Sequence, residues 1–230
     1  MKSRKLFWSV LIILVLVILM ELLLPIYFSQ RTEAFFLQAL DSAGEFDLRV
    51  NSFPSLFLLK GRVDRAQVEG SKLVINGLEL ESWQGEYANL QLPPLWQWGE
   101  PLEEIEGQNT FLEVVLKEED LNNYLEEVFP GLMSFNLSLL PDQVLMTGIL
   151  EAYGFELEVE MEGTFQLVNH HRIDFVPLSL SFQKMQLPEA IVDYIMEELD
   201  FYLDLERLPL PVYLTEVELE QGRLLIYGGE

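Results

Sequence analysis

The chain has 230 residues, half of them apolar, no cysteine and a formal net charge of −24 at neutral pH. Only three of its 14 Lys and Arg and one of its 38 Asp and Glu fall in the first 30 residues, so the rest carries 11 basic against 37 acidic groups, a net −26. A domain this acidic repels nucleic acid, and the lack of cysteine excludes both disulfides and a lipobox lipoprotein.

The first element is "LFWSVLIILVLVILMELLLPIYF", Leu6 to Phe28, with Glu21 as its single charge. A helix needs about 20 apolar residues to cross a bilayer core, and this stretch supplies them. Lys2, Arg4 and Lys5 precede it, which by the positive-inside rule puts the N-terminus in the cytoplasm and the remainder outside. A cleaved signal peptide is the competing reading, with a shorter apolar region and a small-x-small cleavage site. Here "LLLPIYFSQRTEAFF" follows without such a site. The expected organisation is therefore a cytoplasmic tip and transmembrane anchor over 1–30, with contact to the membrane through residues 6–28, and one extracytoplasmic domain over 31–230.

"SQRTEAFFLQALDSAGEF" reads as a further helix stopped near Gly44. "FDLRV" is a short alternating strand, and Pro54 breaks "NSFPSLFLLKG". "GRVDRAQVEG" and "LVINGLELESWQGEYANLQL" read as strands punctuated by Gly70, Gly77 and Gly85. "PPLWQWGEP" is a loop whose Trp96 and Trp98 are candidates for contact with the membrane interface, or else cap the core. "NTFLEVVLK" is a strand, and "EEDLNNYLEEVFPG" an amphipathic helix with Leu121, Tyr124, Leu125 and Val128 on one face. Strands follow in "MSFNLSLL", "QVLMTGILEAYG" and "HHRIDFVPLSLSFQ". "LPEAIVDYIMEELDFYL" reads as a helix with a buried stripe through Tyr202, and "VYLTEVELEQGRLLIYGG" as a hairpin turning near Gln221-Gly222.

The most informative stretch is "FELEVEMEGTFQL". Its odd positions from Phe155 to Leu167 are apolar or glycine, and its even positions are Glu, Thr or Gln. That is period-2 alternation over thirteen residues, a strand of roughly 43 Å at ~3.3 Å per residue with one wet and one apolar face. "VPLSLSFQ" and "GLELESW" repeat the pattern. A one-sided sheet must be covered, either by an ordinary packed core or, if it curves round a helix, by an acyl chain in a groove. Helix and strand do not alternate one for one, so the fold class is α+β with a large antiparallel sheet.

Catalytic signals are weak. Ser181-Phe-Gln-Lys184 matches S-x-x-K, but its serine lies in an alternating strand rather than at a helix N-terminus. His170 and His171 are neighbours that point apart and suit a solvated turn better than a metal site. The acidic runs lack EF-hand spacing. No metal, no cofactor and no enzymatic activity are expected.

The order of segments resembles the LmeA-type family of bacterial envelope proteins. The resemblance is carried by "VNSFPSLFLLKGRVDRAQVEG", "VINGLELESWQGEYANLQLP", "VVLKEEDLNNYLEE", "GTFQLVNHHRIDFVPLSLSF" and "LPEAIVDYIMEELDFYLDLERLPLPVYLTEVELEQGRLLIYG", about Thr32 to Gly228. That family is similar to tubular lipid-binding folds, in which a curved antiparallel sheet wraps a long helix. The resemblance implies phospholipid binding outside the membrane, with the long strand partly lining a groove. The candidate lining is Phe155, Leu157, Val159, Met161, Phe165, Leu178, Leu180 and Phe182. Lys60, Arg62 and Arg65 are the candidate headgroup contacts, or else a solvated strand edge. The expectation is thus a membrane-anchored phospholipid-binding protein of the envelope; no protein partner is identified. The alternative is a structural or interaction module with a filled core.

Overall fold

A computed structural model describes residues 2–38, 40–94, 105–128, 135–152, 155–182, 185–186, 201–206, 208 and 210–229. Helix α1 (Lys2–Phe36) is continuous through Pro25. The anchor and the helix expected after it are one element, ending at Phe36 rather than at Gly44. Phe28, Thr32 and Phe36, spaced four apart, are buried against the domain, and the Thr32 hydroxyl donates to the Phe28 carbonyl at 2.8 Å. Beyond Phe36 a neighbouring strand takes over the chain: the amide of Asp41 donates to the Val74 carbonyl, and Ser42 bridges Val74. Over Phe7–Phe36 the helix is long and apolar enough to cross a membrane, or to be a signal sequence.

A first antiparallel sheet follows: β1 (Glu45–Asn51), β2 (Arg62–Ile75), β3 (Leu78–Gln91), β4 (Glu106–Lys117), β11 (Leu214–Glu220) and β12 (Arg223–Gly228), in the order β1-β2-β3-β4-β12-β11. Between β1 and β2, Pro54 does break the strand pattern, and Ser55–Lys60 form a 3-10 turn. Gly70 and Gly85 do not end strands. They lie inside β2 and β3, paired with Trp83 and Val68. At Gly85 a Cβ would meet the Tyr87 ring at 2.7 Å, so glycine makes room for a buried aromatic on its own strand. Asn76-Gly77, both at positive φ, turn β2 into β3, as an Asn-Gly pair favours. The final hairpin turns at Gln221-Gly222, as its sequence indicates.

A second antiparallel sheet holds β5 (Asn136–Leu140), β6 (Gln143–Ala152), β7 (Phe155–Leu167), β8 (Arg172–Phe182) and β10 (Tyr202–Asp204) in the order β10-β8-β7-β6-β5, with β9 (Met185–Gln186) on β8. The fold is α+β with curled antiparallel sheets and few helices, two sheets sharing one core where the sequence suggested one. The helix expected over 187–203 falls mostly outside the described residues. Its last two positions are strand: Tyr202 and Leu203, with Asp204 after them, pair with Asp174, Ile173 and Arg172. Phe201, Leu203 and Leu205 are buried while Tyr202 is exposed and Asp204 half-buried, and that period of two outweighs the helical stripe.

Helix α2 (Glu118–Val128) closes the free edge of β5. The Asn122 amide donates to the Leu137 carbonyl at 2.8 Å, and its oxygen accepts from the Leu137 amide at 2.7 Å. Glu118 accepts from the Leu139 amide at 2.7 Å, so side chains here take the place of a further strand. Asn122→Ala is expected to leave both Leu137 backbone groups unpaired and to lower stability by about 2 kcal/mol. Asn123→Ala, at an exposed site next door, should change it by less than ~0.5 kcal/mol. Urea unfolding of the two variants checks this.

Candidate functional site

At the β2–β3 turn end of the first sheet a cleft of about 150 Å³ opens between three segments. The β2–β3 turn contributes Ile75 and Leu78, which pair across it, and Leu80. α2 contributes Tyr124 and Val128, one helical turn apart, and the segment from Phe201 onward contributes Phe201, Leu205 and Leu208. Asn76, Tyr202 and Asp204 supply polar groups at the lining. A small-molecule site usually measures about 300–1,000 Å³, so as it stands the cleft holds only part of a long ligand.

Phe201 links this cleft to the face of the long strand. Its ring lies 6.5 Å from Tyr124 on the cleft side and 6.0 Å from Phe165 on the other, and Phe165 meets Phe175 at 6.0 Å. The two Phe165 contacts are edge-to-face and each is worth about 0.5–1.5 kcal/mol beyond burial. Moving Phe201, itself a buried core ring, also gives up its burial.

The surroundings are acidic. On α2, burial and then the nearby Glu79 push the Asp120 carboxyl above the usual carboxylate range. Glu81 is offset by Lys117 at 3.0 Å and Arg223 at 3.6 Å. Of the residues that line the cleft Asp204 alone is charged, so the lining favours an apolar tail over a strongly anionic group.

Of the expected groove residues, Val159, Met161 and Phe165 are buried in the shared core and covered by protein side chains. Met161 pairs with Met146 and Leu180, and Val159 pairs with Phe182. Leu180 is half-buried against the same core. Leu178 departs from the group. The ladder pairs Glu162 with Ser179 and Gly163 with Pro177, which leaves Leu178 as the extra residue of a bulge, 70% exposed. Phe155, Leu157 and Phe182 occupy their strands, but their side chains lie outside the described residues.

Lys60, Arg62 and Arg65 are not brought to the cleft. They sit at or just before the other end of β2, whose 14 residues span roughly 46 Å at ~3.3 Å per residue. All three are exposed. Trp96 and Trp98 lie outside the described residues. Leu92, on the near flank of their loop, bonds to Gly61 at that same end of the sheet.

Ser181 lies in β8, its hydroxyl 3.5 Å from the Glu160 carbonyl, and Lys184 lies outside the described residues. The His170 ring stacks on Tyr213 at 3.8 Å, while His171 is 3.7 Å from Glu206. Among the described residues no group of three His, Asp or Glu is placed to hold a metal.

Sequence reasoning missed the cleft because its walls come from three distant segments. Tyr124 and Val128 were visible as a helix face and Ile75 and Leu78 as neighbours of an Asn-Gly turn, but nothing local says that they meet Phe201. A family model described as LmeA-like phospholipid-binding matches residues 20–229. No curated protein and no solved structure matches.

Proposed function

This chain belongs to the LmeA-like phospholipid-binding family, and from that premise we propose that it is a membrane-anchored, non-catalytic phospholipid-binding protein of the bacterial envelope. Its domain stands outside the membrane and presents or exchanges lipid locally. The observation that carries the reading is an apolar cleft with a polar rim, separated from a long apolar strand face by one aromatic ring.

The acyl tail enters between Leu78, Tyr124 and Val128. Phe201 turns aside, and the tail advances over Phe165 and Phe175 towards the paired β7 and β8 positions. Burial from water stabilises by about 0.8 kcal/mol per CH₂, but a tail leaving a bilayer is already in an apolar medium, so the net change is near zero. That balance permits both uptake and release. The headgroup stays at the rim beside Asn76 and Asp204, and nothing in this scheme requires a bond to be made or broken.

A phospholipid bearing a photoreactive group near the end of one tail tests the site in the full chain, with adducts mapped by peptide mass spectrometry. Adducts on β3, α2 and the segment from Phe201 support it. Adducts confined to α1 would report only lipid surrounding the anchor and would overturn it. The rival is a filled-core module, favoured by the burial of Val159, Met161 and Phe165 without any ligand.

α1 anchors the protein, with Lys2, Arg4 and Lys5 holding its start in the cytoplasm. Charged residues at a span centre cost ~2.5–3.5 kcal/mol each on insertion scales. The double variant Leu14→Arg, Val15→Arg is therefore expected to move the protein from the membrane to the soluble fraction. Carbonate extraction followed by sedimentation measures it.

A further inference from the structure

The end of the domain opposite the cleft carries a second apolar feature. Between β1 and β2, Phe53 just before the 3-10 turn is 80% exposed, and Leu56 and Phe57 within it are 48% and 36% exposed. Aromatic and aliphatic side chains this exposed and this close together mark a contact surface more often than chance.

Two carboxylates fix the turn. Asp64 on β2 accepts from the Phe53 amide at 2.9 Å and the Ser52 hydroxyl at 3.0 Å. The backbone hydrogen bond from Phe53, ahead of those from Ser52 and Arg62, holds the Asp64 carboxyl below its usual range. Glu21 on α1 accepts from the Ser55 amide at 3.0 Å and the Ser55 hydroxyl at 2.6 Å. This second contact gives the one charge of the apolar stretch a partner and fixes the turn's height along α1.

That height lies within the apolar stretch. Leu22, Leu23, Ile26 and Tyr27, beyond Glu21, remain exposed on the helix. Phe28 lies seven positions beyond Glu21, a rise of about 10 Å. The stretch from Leu6 to Phe28 rises roughly 33 Å, close to the ~30 Å of a hydrocarbon core. A bilayer that accommodates the stretch therefore reaches the level of Ser55.

Basic side chains stand beside this patch, although the domain as a whole is acidic. The Arg62 guanidinium lies 5.2 Å from the centre of the Phe57 ring, and exposed Lys60 and Arg65 flank it. Long basic side chains around an apolar patch place their stems in the apolar layer and their heads among phosphates.

We propose that this turn is a membrane foot, with Phe53, Leu56 and Phe57 inserting into the leaflet on the domain side of the bilayer spanned by α1. The proposal rests on α1 acting as an anchor. It assigns Lys60, Arg62 and Arg65 to the phosphates of the surrounding leaflet rather than to a lipid held in the cleft. It also stands the first sheet on the membrane with the cleft at its distal end, so the bilayer that exchanges a tail with the cleft is one facing that end, not the leaflet under the foot.

The chain has no cysteine, so single cysteines can be introduced without background. Spin labels at Phe53→Cys, Leu56→Cys, Leu14→Cys in the span and Glu218→Cys on β11 are compared by power saturation. The full chain is used, in nanodiscs of phosphatidylcholine and phosphatidylglycerol. The expected result is a deep label at Leu14→Cys. Phe53→Cys and Leu56→Cys should be shallow but immersed, open to oxygen and several-fold less open to an aqueous nickel chelate than Glu218→Cys. A deep label at Leu14→Cys with fully aqueous labels at Phe53→Cys and Leu56→Cys overturns the foot and leaves the anchor standing. Labels at both turn sites closed to oxygen and nickel alike mean that protein covers them, which also overturns it. An aqueous label at Leu14→Cys removes the anchor, and the foot with it. Both turn sites are exposed, so labelling leaves the core untouched, and agreement between them guards against one perturbed position.

Discussion

Val128→Trp is expected to lower phospholipid binding at the cleft at least tenfold, about 1.4 kcal/mol, while leaving the fold intact. Val128 is 45% exposed at the end of α2, one turn beyond Tyr124, and its side chain lines the mouth of the cleft. An indole there occupies space that the tail must cross, and the cleft, at about 150 Å³, has little to spare. Because the site is half open to solvent, the change in stability should stay within about ±0.5 kcal/mol. The measurement is transfer of the photoreactive lipid to β3 and to the segment from Phe201, with labelling of α1 as the internal reference. Loss at the cleft with constant labelling of α1 locates the binding. Unchanged cleft labelling in a stable variant would show that tails enter elsewhere, and would favour the filled core.

What could be read from the sequence depended on whether the signal was local. The alternation of β7 is a property of one segment, and it gave the strand its bounds, Phe155–Leu167. The alternation of β8 misled at one position, because a bulge shifts the phase and turns Leu178 outward. Nothing in "VPLSLSFQ" announces the bulge; it comes from pairing with β7. "DFYLDLE" contained a period of two as well as a helical stripe, and pairing with β8 decided between them. Glu21 stood out as the one charge in an apolar run, but its partner Ser55 is 34 residues away. Asn122 lies off the apolar face of its helix, and nothing local marks it out. Its role in closing the edge of β5 depends on where that strand lies. The pattern holds throughout: periodicity fixes elements, while the partners across them, and the cleft they enclose, follow only from tertiary pairing.

Met161→Asp tests what the middle of the long strand covers. Met161 is fully buried, between Met146 on β6 and Leu180 on β8, near the centre of the second sheet. A carboxylate placed there has no partner in the core, and a change of this kind is expected to cost about 4 kcal/mol or more. A domain with native stability of ~5–15 kcal/mol loses much of its margin by that change. Met161→Leu keeps the volume and should cost less than about 1.5 kcal/mol. Urea unfolding of the full chain in detergent, followed by circular dichroism, separates the two. If Met161→Asp folds with near-native stability and loses only lipid, position 161 already faces a groove in the resting protein. If it unfolds while Val128→Trp stays folded and loses lipid, the resting strand face is core. The tail then gains that face only by moving Phe201, the ring that separates the cleft from Phe165.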